Sequence, residues 1–256
     1  MPLYLATTPD RLAQCRSYTP YLAHVAYRIG EDGTLQAQPM PLSLRGGLMV
    51  LRNTCCHPLP DPDALCRQLL QICLQRKFAG IVLDEERSSS ADSRALAARL
   101  EKILAPYQRR LMVPLHYAGC VEKAALVVCT ALSGGSLQQM LRHTVEQYGA
   151  GRLVLDLQRL AMAFPLPCPS GEGQPLTMTE LQSAMTGRAI FFSEELCARY
   201  FTVHRSGRTQ FILFDDADTL RRKWQLGQQL GIGDALVMLP ETEDLLEDLF
   251  REKERS

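Results

Sequence analysis

Three consecutive carboxylates end a short apolar run in the stretch KFAGIVLDEER, residues 77–87. The run has the length and composition of a buried β-strand. Because side chains alternate along a strand, Asp84 and Glu86 share the face of Val82, and Glu85 points the other way. If Asp84 faces the interior of the fold, Glu86 lies just above it.

Two carboxylates at that spacing could do acid–base chemistry. Both cannot ionise freely at short range, so the pKa of one of them rises and a proton stays available near neutral pH. The spacing therefore fits a general acid with an assisting carboxylate. The alternative is a strand end without a chemical role, in which Arg87 and loop amides satisfy Asp84 and Glu86.

Eight short apolar runs recur along the chain and could form the framework that positions these carboxylates. They cover 3–6, 23–29, 47–51, 80–84, 110–115, 126–132, 152–157 and 235–239. Several are apolar on both faces, which is typical of a parallel sheet covered by helices. Helical patterns lie between them, at 61–77, 91–104, 136–148 and 216–230, and a last one covers 241–254.

Eight strands alternating with helices over about 250 residues predict an α/β protein, a single-domain (β/α)8 TIM barrel over residues 1–256. A doubly wound open sheet is the alternative. Against it, the first strand is followed by LATTPDRL, which contains no glycine, so we expect no nucleotide cofactor. Residues 199–214 read as a β-hairpin with a Ser-Gly turn, inserted before the last strand. Residues 164–176, rich in Pro and Gly, read as a long loop.

In such barrels, functional side chains lie where the strands end at their carboxyl termini. Polar residues at strand ends are partly expected for any chain, so the set is a shortlist. Besides Asp84 and Glu86, it contains Tyr27, Arg52, Asn53, His116, Tyr117, Ser133, Asp156, Gln158 and Glu241.

Composition excludes several classes of function. Lys+Arg and Asp+Glu both number 28, so no surface that neutralises phosphates is indicated and nucleic acid is not an expected partner. The N-terminus has no signal-peptide pattern and no apolar stretch is long enough to cross a membrane, which predicts a cytoplasmic location. Nine cysteines without repeated spacing favour reduced thiols. Cys55-Cys56-His57 could bind metal, but no second Cys pair accompanies it, so we expect none.

Three segments resemble glycoside hydrolase family 18, the chitinase-type barrels. LAHVAYRIGEDGTLQ (22–36) resembles the second-strand segment, and FAGIVLDEE (78–86) resembles the fourth-strand signature Phe-Asp-Gly-Ile-Asp-Ile-Asp-Trp-Glu. FDDADTLRRKWQLGQQLGIGDALVML (214–239) resembles the closing segment. The three occur in the right order and span nearly the whole chain. The small size resembles compact bacterial members that lack an extra α+β domain, including those linked to spores and cell walls.

The resemblance implies substrate-assisted hydrolysis of glycans that contain N-acetylhexosamine. Glu86 takes the position of the acid that protonates the glycosidic oxygen. Asp84 takes that of the carboxylate that orients the N-acetyl group, whose carbonyl oxygen attacks the anomeric carbon. We expect further substrate contacts from Tyr27, Asn53, His116, Tyr117, Asp156 and Met238.

The sequence also departs from the family pattern. Ala79 and Val82 replace two Asp residues of the signature, so Asp84 lacks the buried carboxylate with which it would exchange a proton. Ala131 stands where the sixth strand would carry Tyr, and Met238 stands at the position of the Trp that forms the floor of the sugar pocket.

Three hypotheses follow from this combination. The first is a divergent glycosidase with Glu86 as the acid. The second is a catalytically silent barrel that binds a glycan or a protein partner. The third is another enzyme on the same barrel, with Asp84, Glu86, His116 and Asp156 acting on a different substrate. The fold alone does not separate them.

Overall fold

The computed structural model describes residues 2–41, 44–55, 57–85, 90–205 and 207–250. Its main element is a closed barrel of eight parallel strands, in which each apolar run of the sequence forms one strand. The strands in barrel order are β1 (Leu3–Thr7), β2 (Leu22–Ile29), β4 (Leu48–Asn53), β5 (Gly80–Asp84), β6 (Arg110–Pro114), β7 (Ala125–Cys129), β8 (Leu153–Asp156) and β14 (Asp234–Met238). Pairing between β1 and β2 closes the ring, and β3 (Leu35–Ala37) adds an antiparallel hairpin to β2. The predicted (β/α)8 barrel is confirmed.

Helices are present at four predicted places, 61–77, 91–104, 136–148 and 216–230. The described part of the helix predicted at 241–254 is two short helices joined by a 3-10 turn, and the helices at 12–15 and 178–185 were not predicted. The helices are α1 (Leu12–Cys15), α2 (Pro62–Gln75), α3 (Ala91–Leu104), α4 (Leu137–Tyr148), α5 (Met178–Met185), α6 (Ala217–Gln229), α7 (Leu239–Thr242) and α8 (Leu246–Phe250). Five begin at capping side chains, Asp61, Ser90, Ser136, Thr177 and Asp216, each of which accepts a hydrogen bond from a backbone N–H of the first turn. No helix in the described part of the chain is long and apolar enough to span a membrane.

Alternation along the strands divides the apolar side chains between two layers. One set fills the barrel and includes Leu48, Val50, Val82, Met112 and Val154. The larger set lies between the strands and the helices. Since inward and outward positions alternate on every strand, a residue's position on its strand decides whether it can reach the barrel mouth.

The segment between β8 and α6 is larger than the predicted hairpin. It forms a five-stranded antiparallel sheet. The strands are β9 (Ala161–Leu166), β10 (Gln174–Pro175), β11 (Phe191–Ser193), β12 (Ala198–Arg205) and β13 (Arg208–Phe214). Their order in the sheet is β10-β9-β13-β12-β11. The hairpin of β12 and β13 is confirmed, but most of the loop predicted at 164–176 belongs to β9, β10 and their connection. We call this sheet with α5 the inserted sheet; it is an extra α+β unit, which the small size of the chain did not lead us to expect.

The two ends of the inserted sheet meet at its junction with the barrel. The amide of Asp215 donates to the carbonyl of Leu160 at 2.9 Å, and the amide of Leu160 donates to Asp215 Oδ2 at 2.9 Å. Lys223 Nζ on α6 lies 2.7 Å from the same Oδ2, and neither side chain of this ion pair is exposed. Thr219 donates to Asp215 Oδ1. The buried charge is therefore paired and hydrogen-bonded, as a stable buried ion pair requires.

Candidate active site at the barrel mouth

A cavity of about 420 Å³ lies at the carboxyl ends of the barrel strands. Its walls come from β4 to β8, from β14 and from the loops that follow them. The side chains that line it include Arg52, Asp84, His116, Cys129, Asp156, Gln158, Met238 and Glu241. The barrel mouth is therefore open enough for a small group, and its lining is rich in carboxylates.

Asp84 enters this cavity from the end of β5. Its side chain shares the inward face with Val82, which belongs to the barrel interior, as the alternation in the sequence predicts. Arg52 lies beside it on β4, with 3.4 Å between Arg52 Nε and Asp84 Oδ2, and both side chains remain partly exposed. Glu86, the predicted general acid, lies outside the described residues, so its role stays a prediction.

Glu85 also borders the cavity, but its carboxylate bonds on the side of β4 and α3. Its Oε1 accepts hydrogen bonds from Asn53 Nδ2 at 3.1 Å and from Ser93 Oγ at 2.8 Å. Burial raises the pKa of Glu85, and the hydrogen bond from Ser93, the nearby His116 and the hydrogen bond from Asn53 oppose that rise. The predicted division of roles between the two strand faces is present: Asp84 faces the mouth and Glu85 the helix layer.

Asp156 at the end of β8 has the most perturbed carboxyl group of the cavity. Protein atoms crowd it, and burial, reinforced by the negative charges of Glu241 and Asp84, raises its pKa to about 7. Its strand neighbours are Cys129 on β7 and Leu236 on β14. A carboxyl group that holds its proton near neutral pH can donate a hydrogen bond or a proton, which an ionised one cannot.

Glu241 follows β14 and brings a further carboxylate to the cavity. Burial raises its pKa and nearby Asp84 adds to the rise, whereas Arg159 opposes it. The backbone N–H of Arg159 donates to Glu241 Oε2 at 3.2 Å, and the guanidinium of Arg159 donates to the Glu241 carbonyl and to both carboxylate oxygens of Asp244. Arg159 therefore fixes the short helix α7, which carries Glu241.

Cys129 was not among the residues selected from the sequence. It ends β7 on the inward face, following Ala125 and Val127, and its thiol donates to Gln158 Oε1 at 3.1 Å. The residue is exposed to the cavity, yet the surrounding atoms desolvate the thiolate and raise the pKa of the thiol. The inward alternation of LVVC could have identified it, because Cys129 stands two residues after an inward Val.

Two of the predicted substrate-binding residues line the cavity in addition to Asp156. His116 lies in a short 3-10 turn after β6 and is exposed at the rim, and Met238 ends β14 on the inward face. Met238 thus stands at the cavity wall, where the resemblance implied an aromatic floor. Among the described residues that line the mouth, the imidazole of His116 is the only aromatic ring.

Three predicted residues lie in the helix layer instead, which corrects their expected position. Tyr27 is 5% exposed and packs edge-on against Phe78. A β-bulge between Val25 and Tyr27 reverses the alternation of β2, so the Tyr27 side chain turns outward although Val25 points inward. Tyr117 is fully buried, because the turn after β6 directs it to the helices. Asn53 is held by its contact with Glu85.

A second cavity continues the mouth toward the inserted sheet. It measures about 810 Å³, and Gln158 and Glu241 line both cavities. Its other walls are the loop after β7, which contains Ala131 and Ser133, and the β9–β10 side of the inserted sheet, which contains Phe164. The two cavities form one elongated groove, which suits a polymer better than an isolated small molecule.

Cys55, one of the possible metal ligands after β4, has its thiol hydrogen-bonded to the backbone. The thiol of Cys55 donates to the carbonyl of His57 at 3.1 Å, while Cys56 lies outside the described residues. Within the described ranges, no three His, Cys, Asp or Glu side chains converge to hold a metal ion, and the eight cysteines found there are free.

Comparison with known proteins shows similarity at the level of structure. The sequence matches no protein-family model and no curated protein. The spore cortex-lytic enzyme SleL of Bacillus megaterium QM B1551 superposes with a TM-score of 0.64 and 19% identity, over 99% of this chain and 75% of that one. A chitinase from Chromobacterium violaceum ATCC 12472 gives a TM-score of 0.69 and 13% identity, over 97% and 98% of the two chains.

A family 18 chitinase from Cycas revoluta, solved with (GlcNAc)3, gives a TM-score of 0.63 and 10% identity, over 97% of this chain and 98% of that one. These similar structures are chitinases of glycoside hydrolase family 18 and spore cortex-lytic enzymes. The resemblance drawn from the sequence is therefore confirmed for the fold. At these identities, the likeness does not extend to the chemistry of the site.

Proposed function

We propose that this protein hydrolyses glycans that contain N-acetylhexosamine, with Glu86 as the general acid and Asp84 as the assisting carboxylate. The observation that carries the proposal is the inward position of Asp84 in an open cavity at the carboxyl ends of the strands. A residue buried for packing would not need that exposure, and barrel enzymes place their chemistry at this end.

In the proposed reaction, Asp84 orients the substrate's N-acetyl group so that its carbonyl oxygen attacks the anomeric carbon. Glu86 protonates the glycosidic oxygen as the bond to the leaving group breaks, and water then opens the cyclic intermediate. In the free enzyme, Arg52 Nε lies 3.4 Å from Asp84 Oδ2. Substrate entry must compete with that contact.

The structures similar to this chain extend the proposal to two sources of substrate. Their names refer to chitinase activity and to lysis of the spore cortex. We therefore propose chitin oligosaccharides and the glycan strands of cortex peptidoglycan as the substrates to compare. Both present the N-acetyl group that a substrate-assisted mechanism needs.

A barrel that binds glycan or protein without turnover is the second candidate. Two observations favour it: Arg52 pairs with Asp84, and no Phe, Tyr or Trp is found among the described residues that line the mouth. An aromatic floor would help to hold a sugar ring next to the acid. With Met238 there instead, a bound sugar would have less to fix its orientation.

The deciding experiment measures hydrolysis of fluorogenic chitobiose and chitotriose and of cortex glycan by the wild type, Glu86→Gln and Asp84→Asn. Loss of a general acid lowers rates roughly 10²–10⁴-fold, and we expect both variants to fall in that range. Glu85→Gln is the matched control, because the Glu85 carboxylate accepts from Asn53 and Ser93, and both donors can bond to an amide oxygen instead. Equal rates in the wild type and Glu86→Gln would refute the hydrolytic role and support the binding function.

A further inference from the structure

Four aromatic rings form a continuous row across the inserted sheet. Phe191 stacks on Tyr200 with 5.6 Å between ring centroids, Tyr200 lies 5.3 Å from Phe211, and Phe211 lies 6.5 Å from Phe164. The row crosses β11, β12, β13 and β9 in their order in the sheet. We call these four residues the aromatic row.

The strand register explains the row. Phe191 is paired with Tyr200, and Phe211 with Phe164, so the rings of each pair stand on the same face of the sheet. The opposite face carries Phe201, Ile212 and Phe214 and is covered by α5. The aromatic row therefore lies on the face that α5 leaves uncovered.

Burial changes steadily along the row. Phe191 is 54% exposed at the outer edge, Tyr200 and Phe211 are half-buried, and Phe164 is buried where it lines the groove that continues to the barrel mouth. Gly173 lies so close to Phe164 that an added Cβ would be 2.7 Å from the ring. The row thus leads from open surface directly into the groove.

The chemistry of this face favours a neutral partner. The described strand positions that share it carry no Asp, Glu, Lys or Arg. Thr202, His204 and Thr209 border the row on the same face; Thr209 Oγ1 and His204 Nδ1 are hydrogen-bonded to each other at 2.8 Å, and Thr202 and His204 are exposed. Flat apolar rings bordered by uncharged hydrogen-bonding groups match the two sides of a sugar ring, whose C–H bonds pack on an aromatic face while its hydroxyls bond at the edge.

We propose that the aromatic row binds the polysaccharide whose strand enters the barrel mouth, at sugar units outside the reacting one. This inference rests on the proposed glycan function, since the groove shared through Gln158 and Glu241 joins the row to the mouth. Phe191 is the exposed end of the row, and the other three rings pack in an apolar cluster of the inserted sheet that reaches the groove. This continuity with a groove distinguishes the row from isolated surface apolarity. The row would supply the stacking that the mouth lacks.

The test measures binding to insoluble chitin and to cortex peptidoglycan in the Glu86→Gln background, so that turnover does not affect retention. Adding Phe191→Ala together with Tyr200→Leu removes two flat rings and keeps an apolar side chain at the half-buried position. We expect at least about tenfold weaker binding to one or both polymers, the scale of losing aromatic anchors from an interface. Tyr200→Phe keeps the ring and should retain binding.

Tyr107→Ala is the matched control, because Tyr107 is equally exposed but lies in the turn after α3, away from the inserted sheet. Melting temperatures of all variants verify folding. In the wild-type background, hydrolysis of chitotriose should be unaffected by loss of the rings, because so short a substrate occupies the mouth.

The outcomes separate this inference from the proposed function. Weaker polymer retention only in the ring variants supports the row, whether or not the wild type cleaves chitotriose. Unchanged retention, equal loss in Tyr107→Ala, or no retention of either polymer by the Glu86→Gln protein overturns it, even if hydrolysis is observed. The polymer that is retained identifies the source of the glycan.

Discussion

Replacement of Asp156 by Asn should stabilise the protein at alkaline pH. The carboxyl group of Asp156 has its pKa raised to about 7 by burial and by the charges of Glu241 and Asp84. Because the unfolded chain leaves this group close to its ordinary pKa of 3.8, the folded state binds the proton more tightly. The stabilisation from that proton is complete below pH 3.8 and is lost as the pH rises to 7.

The magnitude follows from the difference between the two pKa values. At 1.36 kcal/mol per pKa unit, the difference between 3.8 and about 7 lowers the free energy of unfolding by roughly 4 kcal/mol once the folded carboxyl is ionised. At pH 5 the loss is about 2 kcal/mol. Asn has nearly the same volume and cannot ionise, so the variant escapes this cost. We expect its stability advantage over the wild type to grow by about 2 kcal/mol between pH 5 and pH 8.

Urea denaturation at pH 5, 6, 7 and 8 measures this change directly, provided that the slope against urea stays the same for both proteins. The control is Asp234→Asn at the start of β14, where Arg110 Nη1 lies 2.5 Å from the carboxylate. Removal of this ion pair should not raise the free energy of unfolding at any pH. A stability difference for Asp156→Asn that is constant across the pH range, or that favours the wild type at pH 8, would refute a protonated Asp156.

Three further predictions concern the framework of the site. Lys223→Met should lower the free energy of unfolding by about 3–5 kcal/mol, because it leaves Asp215 buried without its partner. Urea denaturation measures this loss, and a smaller loss would mean that water reaches Asp215. Asn53→Ala should lower the free energy of unfolding by about 1–3 kcal/mol, because it removes a donor to Glu85, and should leave KM for chitotriose unchanged. A raised KM would support the substrate-binding role that was predicted from the sequence. Residues 1–256 should unfold in one calorimetric transition, as a single domain does, and two separate transitions would contradict that prediction.

The barrel could be predicted because its strands are short apolar runs that recur along the chain with helical patterns between them. Strands that are apolar on both faces are typical of a parallel sheet covered by helices. Alternation predicted that Asp84 shares the face of Val82, and the structure shows that this face is the inward one. The same alternation failed for Tyr27, since the β-bulge after Val25 depends on pairing with β4 and has no local signature in the sequence. Tyr117 was misplaced because a turn, rather than a strand, carries it.

The inserted sheet was harder to predict for a different reason. Its strands β10 and β11 are two and three residues long, and the β9–β10 connection is rich in Pro and Gly, so neither periodicity nor length distinguishes them from loops. Aromatic residues make up only 7% of the chain, yet tertiary pairing gathers four of them in one row. The raised pKa of Asp156 likewise depends on neighbours that are distant in sequence.

The junction of Leu160 and Asp215 has a consequence for how this protein could vary. Their reciprocal hydrogen bonds hold the start and end of the inserted sheet next to each other. The inserted sheet therefore connects β8 to α6 through two adjacent points, as a tight turn would. Lengthening or shortening such a segment adds little loop-closure entropy to the folding of the barrel. The outer part of the groove is thus modular: it can be exchanged for a longer, shorter or differently lined segment while the carboxylates at the strand ends keep their positions.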